Sequence, residues 1–178
     1  MGPNRSNNKI LVLGLGNDLM YDDAVGLHAA RLIRPRIATF ADVLESSASG
    51  LDLLELTEGY PCALILDALT LDYPPGTIVV FGLDDFRLPC SVSPHWLSIS
   101  DAWDTARILG LPVADEIIGL GMQVTDTGWI REGLSPEVQE GLTRFASEAV
   151  GIVEFLVNNR WSSKEGLGRY APKIPLCG

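Results

Sequence analysis

Lys9 to Asn17 reads KILVLGLGN, and this stretch decides the fold. Apolar residues run almost unbroken to Leu15, as in a strand covered by protein on both faces of a parallel sheet. Gly14 and Gly16 permit a tight turn at the strand end. Asp22 to about Arg34 then reads as a helix, with Val25, Ala29, Leu32 and Ile33 on one face and Pro35 as its stop. Strand, glycine loop and helix in that order open an alternating α/β chain.

The remainder keeps the alternation. Asp42–Ser46 reads as a second strand, followed by Gly50 and a short helix through Leu51, Leu54 and Leu56. Cys62–Leu66 (CALIL) is again an apolar strand and runs straight into Asp67. Thr77–Phe81 is the fourth strand. Only about ten residues separate it from the third, too few for a helical crossover, so an antiparallel pair is expected there. Ile99–Leu109 reads as a helix and Glu116–Met122 as the last strand. Ser135-Pro136 predicts a helix N-cap with proline at the first helical position. From there Val138, Leu142, Phe145, Ala149, Val153 and Leu156 form one long apolar stripe. The expectation is a three-layer α/β sandwich: a twisted, mostly parallel five-stranded sheet with one antiparallel strand and helices on both faces. Residues 9–158 form one domain, between a flexible N-terminus (1–8) and an irregular C-terminal tail (159–178).

Composition narrows the function classes. The 178 residues suit a single domain, and 47% hydrophobic with 20% charged residues is ordinary for a soluble protein. A formal net charge of -10 argues against nucleic acid and against an anionic membrane surface. Cys62, Cys90 and Cys177 are far apart and form no C-x-x-C pair, so neither a disulfide framework nor a thiolate zinc site is expected, and a reducing cytosol fits. The first nine residues carry no apolar signal core, and no apolar run reaches the roughly 18 residues of a membrane span. Gly2 and Ser6 match a loose acylation pattern that nothing else in the chain supports.

The first loop resembles the start of a dinucleotide fingerprint, but Leu19 stands at its third glycine position. Asp18, Asp22 and Asp23 crowd the place of the pyrophosphate, with no Lys or Arg between Lys9 and Arg31. Such a loop favours a cation, although Asp22 and Asp23 would also suit a helix N-terminus simply through its dipole. Asp67, at the carboxyl end of a buried strand, lies where open α/β sheets bind ligands; it is a ligand or the cap of the following turn. His95, in Ser93-Pro94-His95-Trp96, is a metal-ligand or proton-carrier candidate. His28 lies mid-helix, about 140° around from Asp23 at roughly 100° per residue, and reads as structural or surface. No G-x-S-x-G elbow surrounds Ser46 to Gly50, and a Cys90–His95 pair is the weaker nucleophile alternative.

Several ordered motifs together resemble the maturation endopeptidases of [NiFe] hydrogenases, over about Ile10 to Leu156. They are Leu11-Val12-Leu13-Gly14-Leu15-Gly16-Asn17, Asp22-Asp23-Ala24-Val25-Gly26, Ser49-Gly50, Leu66-Asp67-Ala68, Pro94-His95 and Gly121-Met122-Gln123. The resemblance implies an endopeptidase that removes the C-terminal extension of a nickel-loaded large-subunit precursor. It carries metal-binding and catalytic roles onto Asp23, Asp67 and His95, with nickel presented by the substrate. Many members have glutamate where Asp23 stands, and Asp22 is the alternative ligand from that loop. Zinc or a similar divalent ion would also suit two carboxylates and an imidazole. A cytoplasmic monomer is expected, whose partner is the precursor. The competing readings are a metallopeptidase or amidase of the same fold with a resident metal, and a non-catalytic nickel-sensing chaperone.

Overall fold

The computed structural model describes residues 9–83, 94–125, 128 and 130–160, with the backbone alone for 94–98. The expected flexible N-terminus and nearly all of the expected tail lie outside these residues, as does Cys90. The described chain runs β1 (Ile10–Leu15), a 3-10 turn (Tyr21–Ala24), α1 (Val25–Ile37), β2 (Ala41–Ser46), α2 (Gly50–Glu55) and β3 (Cys62–Leu69). It continues with β4 (Ile78–Gly82), α3 (Pro94–Ile108), β5 (Glu116–Gln123) and α4 (Pro136–Asn158).

The five strands form one sheet in the order β2-β1-β3-β5-β4. β2, β1, β3 and β5 are parallel and β4 is antiparallel to β5. Every residue of β1 and β3 is buried, which explains their nearly unbroken apolar sequences. Ile10, Val12, Leu64 and Leu66 point to one side, where α1 and α4 bury Ala29, Ile33, Phe145 and Val153. Leu11, Leu13, Ile65 and Leu69 point to the other, under Leu53 and Leu54 of α2 and Ile99 and Ala106 of α3. This is the expected three-layer sandwich.

Five local expectations are corrected. Pro35 does not end α1, which continues to Ile37. Arg31, whose carbonyl loses its partner, is exposed, as is Pro35, whereas Ile37 is buried and extends the apolar stripe. Leu32 lies off that stripe and is half exposed. β4 is antiparallel as expected, but β5 separates it from β3 in the sheet. Gly119 makes this placement possible, since a Cβ there would overlap the Phe81 ring of β4. β3 extends to Leu69, so Asp67 lies within the strand, aligned with Gly121 of β5, rather than just beyond it. Finally, α3 begins at Pro94, which puts His95 in its first turn instead of a loop. Proline at a helix start costs no hydrogen bond, and Ser93-Pro94 repeats the Ser135-Pro136 signature that marks α4.

β1 is followed by α1 on one face and β2 by α2 on the other, so the chain changes direction across the sheet between β1 and β3. The crevice outside the carboxyl ends of these two strands is the topological switch point, where such sheets bind ligands. Gly26 sets its width. A Cβ on Gly26 would overlap the carbonyl oxygens of both Leu15 and Leu66, so only glycine lets α1 start so close to both strands. Gly26→Ala is expected to push α1 outward and to destabilise the protein by about 1–3 kcal/mol, the usual cost of overpacking. Denaturant unfolding checks this, and an unchanged midpoint would mean that the backbone yields freely there.

Candidate functional site

The loop after β1 is built from its own residues. Gly16 adopts φ 136° and lies against the Asp23 carbonyl, where any Cβ would overlap that oxygen. The Asn17 side chain accepts the Leu19 N–H at 3.0 Å and its carbonyl accepts the Met20 N–H at 2.9 Å, closing a tight turn. Tyr21 holds an unusual φ of 51° for a residue with a side chain. Arg131 secures it: its carbonyl accepts the Tyr21 N–H at 2.8 Å and its N–H donates to Leu19 at 2.9 Å. Its guanidinium lies 4.9 Å from the Tyr21 ring centre.

The three aspartates of this loop have separate environments. Asp18 faces outward and takes a two-pronged ion pair from Arg31, at 2.8 and 2.7 Å. The hydrogen bond from Arg31 holds the Asp18 carboxyl below its ordinary range. Glu45 of β2 bridges Arg31 and Arg34 in the same surface network. Asp22 turns inward, is 1% exposed, and accepts the Ser135 N–H at 2.6 Å. Asp23 is partly exposed, in the 3-10 turn just ahead of Gly26.

Asp67 is fully buried, and one of its oxygens accepts the Ala68 N–H at 2.9 Å. Pairing of β3 with β1 ends at Leu66, so Asp67 is the first β3 residue beyond that shared ladder. The 3-10 turn carrying Asp23 packs against β3, and Gly26, three residues further on, lies against the Leu66 carbonyl. Asp67 and Asp23 are therefore brought to the same crevice from two different elements. By strand alternation, Asp67 projects to the side covered by α2 and α3.

His95 belongs to that covering layer. The C-terminal end of α3 is tied near the start of β5: Leu111 donates to Ala106 at 2.8 Å and Ala114 to the Thr57 hydroxyl at 3.1 Å. At about 1.5 Å per residue, the 15-residue helix is about 22 Å long and carries His95 at its opposite end. The His95 side chain lies outside the described residues. Among the described residues no group of three His, Cys, Asp or Glu forms a metal cluster, a comparison that excludes this imidazole.

Other candidates resolve as structural. Gln123 is buried; it accepts the Leu71 N–H at 2.8 Å and donates to the Val124 carbonyl at 2.7 Å, latching the loop after β3. Gly121 leaves room for Leu69. Burial, with a smaller contribution from the charge of Glu116, pushes the Cys62 thiol far up, so it stays protonated and is no nucleophile. Ser135 stands at the N-cap position of α4 but its side chain makes no cap hydrogen bond; its amide serves Asp22 instead. Sequence reasoning treated that serine only as a cap. A contact across 113 residues leaves no local pattern by which to find it.

Comparison with known proteins agrees with this architecture. The chain is 29% identical over 172 residues to the Hydrogenase 2 maturation protease of Escherichia coli (strain K12), covering 92% of this chain and 98% of that protein. The [NiFe] hydrogenase maturation protease HybD from Thermococcus kodakarensis superposes with a TM-score of 0.61 at 26% identity, over 82% of this chain and 99% of that one. The hydrogenase maturating endopeptidase HybD from E. coli shares the fold, with a TM-score of 0.67 at 22% identity over 83% and 93% of the two chains. Residues 28–152 match the HycI family model, described as hydrogenase maturation protease, and the chain belongs to that family.

Proposed function

We propose that this protein cuts its hydrogenase precursor only once nickel is in place, and that Asp23, Asp67 and His95 together read that nickel and serve the cleavage. Membership of the family makes the chain an endopeptidase, a hydrolase that processes the C-terminus of a hydrogenase large subunit. The observation that supports the finer reading is the packing of the Asp23 turn against β3, the strand that carries Asp67, at the β1/β3 switch point. Burying a carboxylate as completely as Asp67 is costly without compensation, and a cation is one compensation that suits this crevice.

The donor set fits nickel carried by a substrate. Two carboxylates and one imidazole are borderline ligands, and they lack the thiolates of a permanent structural site. When bound, the ion supplies Lewis acidity and a fixed point for the peptide beside it. The chain's own residues do the rest. Asp67 holds an anionic donor on a strand that cannot move without breaking the sheet. Asp23 offers a second carboxylate from a turn braced by Gly16 and Arg131. His95, at the start of α3, would supply an imidazole nitrogen as the third donor. Peptide hydrolysis requires one proton to leave the attacking water and one to reach the departing amine, and an imidazole or carboxylate in the crevice can carry it.

Cytoplasmic action is part of the same reading, supported by free, buried Cys62 and by the absence of paired cysteine spacings. Among the described residues no helix is long and apolar enough to cross a membrane. The precursor is the partner, and the protease acts as a monomer.

Incubation with nickel-loaded and nickel-free precursor, read by gel mobility, tests the proposal. Cleavage of the loaded form alone is expected; binding without cleavage would turn the reading to a nickel-sensing chaperone, and equal cleavage of both to a peptidase with a resident metal. Asp67→Asn and His95→Ala are expected to lower processing on the order of 100-fold or more with the fold intact. Asp23→Asn should follow them, and full activity in any of the three would remove that residue from the site. Asp18→Asn is the contrasting case. Processing should stay within about twofold, and stability should fall by under about 1 kcal/mol, as for an exposed ion pair.

A further inference from the structure

Asp22 and Ser135 make a contact that neither helix capping nor the proposed site requires. Asp22 Oδ1 accepts the Ser135 amide at 2.6 Å, inside the protein. The second carboxylate oxygen of Asp22 and the Ser135 hydroxyl are, among the described residues, the buried side-chain oxygens left without a hydrogen-bond partner. A carboxyl group is thus buried at a recognised cost for a single hydrogen bond to an amide. The same place carries further ties. Arg131, four residues ahead of Ser135, is bonded through both its N–H and its carbonyl to the loop residues just before Asp22. Met20 and Arg131 form a parallel bridge between the two segments.

These contacts all act on one short stretch of chain. Leu19 and Tyr21 are held by Arg131, Asp22 is held by Ser135, and Asp23 follows directly. Ser135 in turn heads α4, a 23-residue helix whose inner face is buried against the sheet and α1. The loop carrying Asp23 is therefore fastened to one of the most extensively packed elements of the fold. A carboxylate that must meet a transient ion needs a fixed position, because an ion not held permanently gives little energy with which to order a loose loop.

We propose that Asp22 is a positioning residue. Through the Ser135 amide it locks the first loop to α4 and thereby fixes the direction of Asp23 toward the metal presented by the precursor. The inference rests on the reading of Asp23 as a metal-binding residue. It also distinguishes the two adjacent aspartates, assigning Asp22 to support and Asp23 to the ion.

The contact can be cut from either end in the full-length chain. Asp22→Ala removes the acceptor. Ser135→Pro removes the donor, 113 residues away, at a position whose φ of -63° already suits proline. Asp22→Asn keeps an acceptor of the same shape and serves as the conservative rescue. Three quantities are read for each variant: thermal midpoint, Ni(II) affinity of the protease–precursor complex by competition with a chelator, and kcat and KM for nickel-loaded precursor. Asp22→Ala and Ser135→Pro are each expected to weaken Ni(II) binding roughly 10–100-fold and to lower kcat more than KM, as loss of a group that orients a ligand does. The double variant should be no worse than the poorer single one, because both remove the same bond. Asp22→Asn should stay within about threefold of the wild type in both readouts. A lower thermal midpoint with Ni(II) affinity and kcat unchanged would reduce Asp22 to a helix cap and overturn the proposal, as would effects that multiply in the double variant. Asp23→Asn separates the two levels: if it leaves Ni(II) affinity and processing intact, the reading of the site itself fails. If it abolishes both while Asp22→Ala does not, only the positioning role fails.

Discussion

The start of α1 lies so close to the ends of β1 and β3 that the Leu15 and Leu66 carbonyls occupy the space a side chain on residue 26 would need. Much else follows from this approach. It places the Asp23 turn over the strand ends, forces Gly16 into a backbone conformation that only glycine adopts readily, and leaves Asp67 as the first β3 residue beyond the β1 ladder. Moving α1 outward by the width of one methyl group would widen the crevice and separate two carboxylates that come from different elements. The glycines of the first loop therefore act on distance rather than on flexibility.

Three aspartates within six positions show how one acidic loop is divided among tasks. Asp18 is satisfied at the surface by Arg31, whose own positive charge is shared with Glu45. Asp22 turns inside, where one of its oxygens accepts an amide of the α4 cap region. Asp23 remains at the crevice. The repulsion that these charges would exert on one another is reduced because each is directed to a different side. A phosphate is still disfavoured there: Arg31, the first cation after the loop, is held by Asp18 and Glu45, while Asp22 and Asp23 keep the strand end acidic.

The fold was largely legible because burial writes itself into composition. β1 and β3 are covered on both faces and read as unbroken apolar runs; α4 is covered on one and reads as a stripe. What failed were boundaries decided by partners distant in sequence. Asp67 belongs to β3 because β5 continues to pair with it as far as Leu69, and a charged residue after five apolar ones gives no hint of that. Pro35 was read as a stop because its local cost is real; the buried Ile37 outweighs it. The start of α3 at Pro94 was legible after all, in a Ser-Pro pair of the type that located α4, but His95 drew the reading toward a loop. At the site, Asp67 and His95 stood out by chain position and residue type. Asp23 could not be told from Asp22 in sequence, since adjacent residues share every local property except which side of the turn they face.

That last distinction bears on how a protease could respond to a metal it does not own. A permanent metal helps to order its own ligands, and folding and binding free energies are shared. A metal that arrives with a substrate cannot do so before it binds, so the ligands must already be in place or the complex loses affinity in ordering them. The described parts of this crevice are held in place by the protein alone. Asp67 is fixed by its strand, which stays paired with β5 through Leu69. The Asp23 turn is fixed by Gly16 beneath it, Arg131 beside it and Ser135 behind it. Such order costs the free protein a buried carboxyl group at Asp22 and a left-handed tyrosine at position 21, and both costs are offset by the packing of α4 against the sheet and α1.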